Sequence, residues 1–399
     1  MHKTTIKKAL VVILVNLAVL EAASFAAVYG LGVASPNRRL DLFLDERLAG
    51  VTDATLVEFR ATTYDRELGW DNMPNRVVTQ RNTVGKPWTA TYDATGARRS
   101  CLPGAAATGP ATIATFGDSF TRGDEVNDGD TWQCELERRI GRRVANYGVG
   151  GHDVGQALLK AERTWRAGQI APVTILGVYA EDLDRVLGQY RPYFEGSSTA
   201  FFGFKPSFRY FDGRIVFLPN PLDDTVTTVA EVRDLALTVA DTDYWARGWA
   251  RVLPEFPYSL QVLRTGHYLV ASRLSTPHYL VNIWNTDEGR EVMLHLVRRF
   301  AMHAGQHGTR PVVLLIPEMH EWHDGRVPAS YSAFIEQALA PEQLGLTIID
   351  VAAAEFDERL FSVAPFAGHA SAYGNRVIAD AVLKELGGLL GSTKEGHYR

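Results

Sequence analysis

Two residues far apart in the chain have the types and settings for nucleophilic chemistry: Ser119, in Gly117-Asp118-Ser119, and His369, in Gly368-His369-Ala370. An alcohol is a poor nucleophile until a base takes its proton. Hydrolases therefore pair Ser with His and aim backbone N–H groups at the oxyanion that develops. The apolar run 111–116 leads directly into Gly-Asp-Ser, and the amphipathic stretch 131–142 follows. That order of strand, tight turn and helix exposes a serine at the end of a strand. The bland reading of the same tripeptide is a turn in which Asp118 and Ser119 only cap the next helix.

The elements that must position these residues alternate along the chain. Runs 111–116, 143–147, 173–179, 312–316 and 346–350 read as strands, and 131–142, 154–166, 291–304, 331–339 and 374–386 as helices. Such alternation implies a mainly parallel five-stranded sheet covered on both faces, an α/β fold of three layers, α/β/α. Ligands in such sheets bind at the carboxyl ends of the strands. Ser119 follows the first strand, Gly151 the second, Glu181 and Asp182 the third and His320 the fourth; His369 lies beyond the fifth. The alternation stops over about 190–285, far beyond ordinary loop lengths. This aromatic-rich stretch reads as a large insertion, with a hairpin turning at Asp212-Gly213 and helix over about 229–238.

The run Phe116-Gly117-Asp118-Ser119-Phe120-Thr121-Arg122-Gly123-Asp124-Glu125-Val126 resembles the first block of the SGNH/GDSL hydrolases. Asn146-Tyr147-Gly148-Val149-Gly150-Gly151 resembles their second block, and the run from Gly368 to Ala379 their last, in which His precedes the final helix. The resemblance covers about 111–390 and implies an SGNH-hydrolase (flavodoxin-like) fold. By it, Ser119 is the nucleophile and His369 its base, and the Ser119 and Gly151 N–H groups form the oxyanion hole, with Gly150 the adjacent choice. The implied reaction is O-acyl, in first place O-acetyl, ester hydrolysis or transfer on a cell-envelope glycan or other ester. No cofactor or metal is called for.

Two positions depart from the family pattern. Its third block carries Gly-x-Asn-Asp, whose Asn donates to the oxyanion; here Gly177-Val178-Tyr179-Ala180-Glu181-Asp182 offers carboxylates, which cannot donate unless protonated. Arg185, one turn on, could hold negative charge, while Glu181 and Asp182 could equally be a solvated helix start. The family also places an Asp three residues before His to orient the ring, where this chain has Phe366. Asp350 or Asp357 could reach from elsewhere, a backbone carbonyl could serve a Ser–His dyad, or activity could be lost. The last case defines the alternative function: a degenerate domain that binds glycan or assembles an envelope export complex. A lipid or thioester esterase is a third reading, without an acyl-chain signature. Asp118 is expected to organise its turn. His152, beside Gly151, borders the cleft or lies on a surface turn, and His320 and His323 read as a cleft loop rather than a metal site.

The bulk properties permit this chemistry. The chain of 399 residues is 46% hydrophobic and 22% charged, with a formal charge of −5 spread throughout, an ordinary globular balance. It has no basic block with interleaved aromatics, so nucleic acid is not an expected partner. His2, Lys3, Lys7 and Lys8 precede an apolar stretch reaching Ala34, interrupted by Asn16 and Glu21. About 20 apolar residues cross a bilayer core, and the basic flank would stay in the cytoplasm. Residues 1–34 are therefore expected as a signal anchor that leaves the rest extracytoplasmic, in the periplasm or at the cell surface. A cleaved signal peptide yielding a secreted form, or a buried helix, are the other readings. Residues 35–110 read as a stalk and an irregular extension against the catalytic domain at 111–390. The two cysteines, Cys101 and Cys134, could pair in an oxidising compartment or be unrelated core residues.

Overall fold

The computed structural model describes residues 2–30, 40–82, 84–194, 201–248, 256–260, 262–263, 286–317, 344–355, 357–363 and 367–390. His320, His323 and the helix expected over 331–339 lie outside them. The chain forms two compact units: Met1–Leu56 with Pro192–Phe202 and Asp224–Tyr279, and Val57–Arg191 with Gly203–Asp223 and Leu280–Arg399.

The first unit is helical. Helix α1 (His2–Gly30) contains a span, Lys7–Ala27, of mean hydropathy 2.2 whose side chains are almost all exposed. Its 21 residues rise about 31 Å at ~1.5 Å each, the thickness of a bilayer core. A signal sequence would have the same length and composition. The helix Leu40–Leu48 buries Leu40, Phe43, Leu44 and Leu48. The helix Val229–Val239, whose N-terminus is closed by a Thr228/Glu231 capping box, packs on it, and Arg233 reaches Asp45 at 2.6 Å.

The second unit holds the expected sheet. Strands β1 (Ile113–Phe116), β2 (Val144–Asn146), β3 (Val173–Tyr179), β4 (Arg310–Ile316) and β5 (Thr347–Asp350) are all parallel, in the order β5-β4-β3-β1-β2. This is the flavodoxin-like order, which reverses beside β1 and opens a crevice there. Every residue of β3 is buried, as a strand covered on both faces requires. Helices α2 (Trp132–Ile140) and α5 (Ala372–Leu390) cover one face through Trp132, Leu136, Ile378, Val382 and Leu386. On the other face lie α3 (Val154–Arg166) and α4 (Asp287–Gln306), with Trp165 stacked on Phe300. The three-layer α/β/α fold is therefore present, its sheet wholly rather than mainly parallel.

Much of the stretch expected to be irregular is ordered in this unit. Val77–Arg81 and Pro87–Thr91 form an antiparallel hairpin, with Val78 packed on Trp88, Ala90 and Tyr92. Beyond it, Arg98 N donates to Asn146 O at the end of β2. Cys101 and Cys134 form a disulfide with Cα atoms 5.4 Å apart, tying this segment to α2. Beside it the buried Glu137 accepts from Cys101 N at 2.6 Å and from Ser100 Oγ.

The bridge closes a loop of 33 residues, which in the chain-entropy account stabilises the fold by about 3–4 kcal/mol. A double Cys101→Ser, Cys134→Ser variant should lose about that much in urea unfolding. The wild-type protein under strong reductant should fall to the same midpoint.

Candidate active site

From the end of β1 the chain turns through Gly117 and Asp118 into a single helical turn, Ser119–Arg122. Asp118 is fully buried, and its carboxylate accepts the N–H of Phe120 at 2.9 Å and of Thr121 at 3.3 Å. The capping role and the placing of a nucleophile are therefore not alternatives; the cap shapes the turn that carries Ser119, which is 6% exposed rather than open to solvent. The loop after β2 packs tightly against this turn. A Cβ at Gly148 would stand 2.3 Å from the Arg122 backbone N, where nothing can yield.

His369 lies on a short hairpin, Phe361–Val363 paired with Ala367–Ala370, which leads into α5. Its Nε2 is 2.9 Å from Ser119 Oγ and its Nδ1 3.0 Å from Glu125 Oε1. A carboxylate only accepts, so Nδ1 carries the ring proton and Nε2 offers its lone pair to the Ser119 hydroxyl. Ser362 Oγ donates to the other Glu125 oxygen. Phe120, stacked on Tyr179 with ring centroids 4.3 Å apart, supports the imidazole at 5.0 Å. Serine, imidazole and carboxylate thus form one hydrogen-bonded line, able to deprotonate the alcohol as it attacks a carbonyl carbon.

The carboxylate that meets His369 is Glu125, which the sequence reading did not single out. Asp350 accepts from Ala352 N at 2.9 Å, and Asp357 accepts from Arg359 N at 2.8 Å and pairs with its guanidinium. Each closes its own local turn, and neither is the partner of His369. Glu125 has φ +65°, a backbone state that disfavours side chains other than glycine's and recurs at functional sites. Arg98 holds it there. Its buried guanidinium donates to the carbonyls of Arg122 (2.8 Å), Gly123 (2.5 Å), Val126 (2.6 Å) and Thr89 (3.0 Å), and to Asp128 (2.8 Å). Only the positive φ could have flagged Glu125, and a sequence does not display it.

In the loop after β2, Gly151 has φ +75°, and Arg191 Nη1 donates to its carbonyl at 2.5 Å. The Ser119 and Gly151 N–H groups have no hydrogen-bond partner among the described residues. The loop is also held by Trp70 Nε1 on Gly150 O (3.0 Å) and Asn72 Nδ2 on Gly148 O (2.8 Å). His152 is fully buried, not on a surface turn, and donates from Nε2 to Trp70 O at 2.8 Å. Burial depresses its pKa to about 4, so the ring is neutral. Where the family pattern has Asn, Glu181 accepts from Arg185 at 3.0 Å, and the buried Asp182 accepts from Tyr179 N (3.1 Å) and Arg185 (3.2 Å). Neither is a solvated helix start: Asp182 is wholly buried and the Glu181 carboxylate largely covered.

The charges around His369 set its titration. Burial alone would lower its pKa, but the Glu125 hydrogen bond and the charges of Asp124, Glu125 and Asp118 outweigh this, and the net shift is upward. Burial also raises Glu125, yet its bonds to His369 and Ser362 bring it below the usual carboxylate range. Beneath the turn, burial drives Asp118 and Asp182 upward. Repulsion from Asp118 adds to the shift at Asp182, and Arg185 only partly offsets it.

No protein-family model matches this sequence, and no curated protein matches it. Solved structures do. They include a putative lipolytic protein of the G-D-S-L family from Desulfitobacterium hafniense DCB-2, at 11% identity and TM-score 0.35, over 69% of this chain and 98% of that one. A G-D-S-L family member from Veillonella parvula DSM 2008 matches at 14% identity and TM-score 0.33, over 68% and 96%. A family 3 carbohydrate esterase from Clostridium thermocellum matches at 12% identity and TM-score 0.31, over 70% and 96%. At such scores the weight stays on this chain's own sheet order and side-chain geometry.

Two outcomes follow for the proton-transfer line and the glycine loop. Because a base must be neutral, the acid limb of kcat/KM should lie above the ordinary histidine value, and Glu125→Gln should move it to lower pH. The same change should reduce kcat by about 10^3- to 10^4-fold, as loss of an orienting carboxylate does elsewhere. For Gly151→Ala, the added Cβ would fall 1.9 Å from Arg191 Nη1 in a left-handed conformation. If the Gly151 N–H is an oxyanion donor, its displacement should cost the steady-state hydrolysis of 4-nitrophenyl acetate about 10^2- to 10^3-fold in kcat, as loss of one such donor does elsewhere.

Proposed function

We propose that this chain is a membrane-tethered serine hydrolase or acyltransferase of the SGNH/GDSL type, acting on O-acyl, foremost O-acetyl, esters of a cell-envelope glycan. The observation that carries the reading is the unbroken line Ser119 Oγ, His369 and Glu125, with bonds of 2.9 and 3.0 Å. In this reading Ser119 Oγ forms a bond to the ester carbonyl carbon while its proton passes to His369 Nε2. The N–H groups of Ser119 and Gly151 hold the oxyanion. Collapse breaks the bond to the leaving alkoxide, which takes the proton from His369 and departs as an alcohol. Water attacking the acyl-serine completes hydrolysis; a glycan hydroxyl attacking instead completes transfer.

The same line of hydrogen bonds favours catalysis over a degenerate glycan-binding or assembly role, which would not need an acid held in a strained conformation against the histidine. The tether rests on α1, with its basic flank and bilayer-length span, which would leave the remainder extracytoplasmic. The glycan follows from that placement, because an extracytoplasmic esterase on a tether meets the acylated polymers of its own envelope.

Wild-type protein should hydrolyse 4-nitrophenyl acetate and bind a serine-directed fluorophosphonate covalently. Ser119→Ala should abolish labelling and cut turnover by at least about 10^3-fold. An inert, unlabelled but folded wild type would sink the enzyme reading. Incubation with an O-acetylated polysaccharide, with and without an unacetylated oligosaccharide acceptor, separates hydrolysis from transfer by mass spectrometry.

A further inference from the structure

Glu21 lies within the apolar span of α1, six residues before the Ala27 that closes it. A lone carboxyl in a bilayer is costly and is found paired. Here it is paired by a remote part of the sequence. The Glu21 carboxylate accepts the backbone N–H of Tyr258 at 2.6 Å and of Ser259 at 3.3 Å, and the Ser259 hydroxyl also donates to it. Ser24 and Phe25, three and four residues on, share that face of the helix. Ser24 is buried although it lies on an otherwise exposed helix, and the Phe25 ring meets Tyr258 edge-on at 5.1 Å. The bonds give the carboxyl partners that lipid cannot supply.

The segment that reaches Glu21 is apolar and outward-facing. Phe256, Leu260 and Leu263 are 71%, 43% and 69% exposed. At ~1.5 Å per residue, Glu21 lies about 9 Å below the C-terminal end of the span. That is the depth, ~5–10 Å, at which interfacial segments bury their apolar faces among acyl chains.

We propose that residues 256–260 with 262–263 are a second membrane-contacting element, docked on α1 through Glu21 and inserted among the acyl chains of the leaflet that receives the C-terminal end of α1. The proposal rests on the tether reading and deepens it. A helix whose intramembrane acid binds the N–H groups of residues 258 and 259 is a permanent part of the mature fold, not a leader to be removed. Its lipid-facing surface is wider than one helix, with Phe256, Leu260 and Leu263 as the added contact.

The test uses full-length protein in vesicles of phosphatidylethanolamine and phosphatidylglycerol, with single spin labels at Phe256→Cys, Leu263→Cys and, as an aqueous control, Val77→Cys. The native cysteines are joined to each other and do not take the label. Labels at 256 and 263 should collide severalfold more with oxygen than with a water-soluble nickel chelate, and the label at 77 the reverse. Adding Glu21→Ala should lower the oxygen preference at both sites toward the control, whereas Glu21→Gln, which keeps an acceptor oxygen, should retain more of it. Nickel accessibility at 263 equal to that at 77 would overturn the insertion. Intact mass separates the two failures: loss of the first thirty or so residues from the mature protein refutes the tether itself, whereas a retained helix with an aqueous residue 263 refutes only the insertion.

Discussion

The Arg98 guanidinium is the contact on which the geometry around Ser119 depends. It has five N–H donors in a rigid fork, and all five are used: four on main-chain carbonyls, one on Asp128. Three of those carbonyls belong to Arg122, Gly123 and Val126, the residues bracketing Glu125. A backbone that must hold φ +65° at a glutamate needs its neighbours fixed from outside. One arginine from the segment before the sheet supplies that restraint, and the disulfide three residues later fixes the same segment to α2. The N-terminal extension of the second unit is thus part of the apparatus that shapes the loop.

This arrangement resolves the two departures from the family pattern differently. The acid is not lost but relocated: it stands six residues after the nucleophile instead of three before the base, and it reaches the same Nδ1. The missing Asn has no such substitute among the described residues. Glu181 and Asp182 converge on Arg185 below the turn, and Asp118 lies 3.7 Å from the same guanidinium. That cluster ties the Ser119 turn to the segment after β3, and its carboxylates accept from Arg185 and from backbone N–H groups.

The fold was legible because its signals are local and periodic. The runs that read as strands at 111–116 and 173–179 became β1 and β3 with almost the same limits, and α3 begins and ends where its amphipathic pattern does. That the sheet is parallel and covered by helices on both faces followed from alternation alone. The hairpin at Val77–Arg81 and Pro87–Thr91 was hidden because its outer face is largely exposed and its inner face buries only a small cluster, Trp88 and Ala90 with Tyr92 and Val78. At the site, Ser119 and His369 were visible because each lies in a recognisable block. Glu125 was quoted within one of those blocks and still passed over, since its role depends on a left-handed backbone and on a hairpin that arrives from the far end of the chain. Arg98 and Ser362 carry no motif at all; they matter only through what folding places beside them.

The order in which the chain supplies these groups has a consequence for biosynthesis. Ser119, Glu125 and Gly151 all lie between residues 119 and 151, on the segments that follow β1 and β2, whereas His369 comes from a hairpin that pairs only when Phe361–Val363 and Ala367–Ala370 are both present. A chain emerging from its N-terminus therefore displays a serine and a carboxylate with no imidazole between them. In the proposed mechanism such a chain is chemically silent throughout synthesis, and becomes competent only when α5 packs over Trp132 and His369 is seated beside Ser119.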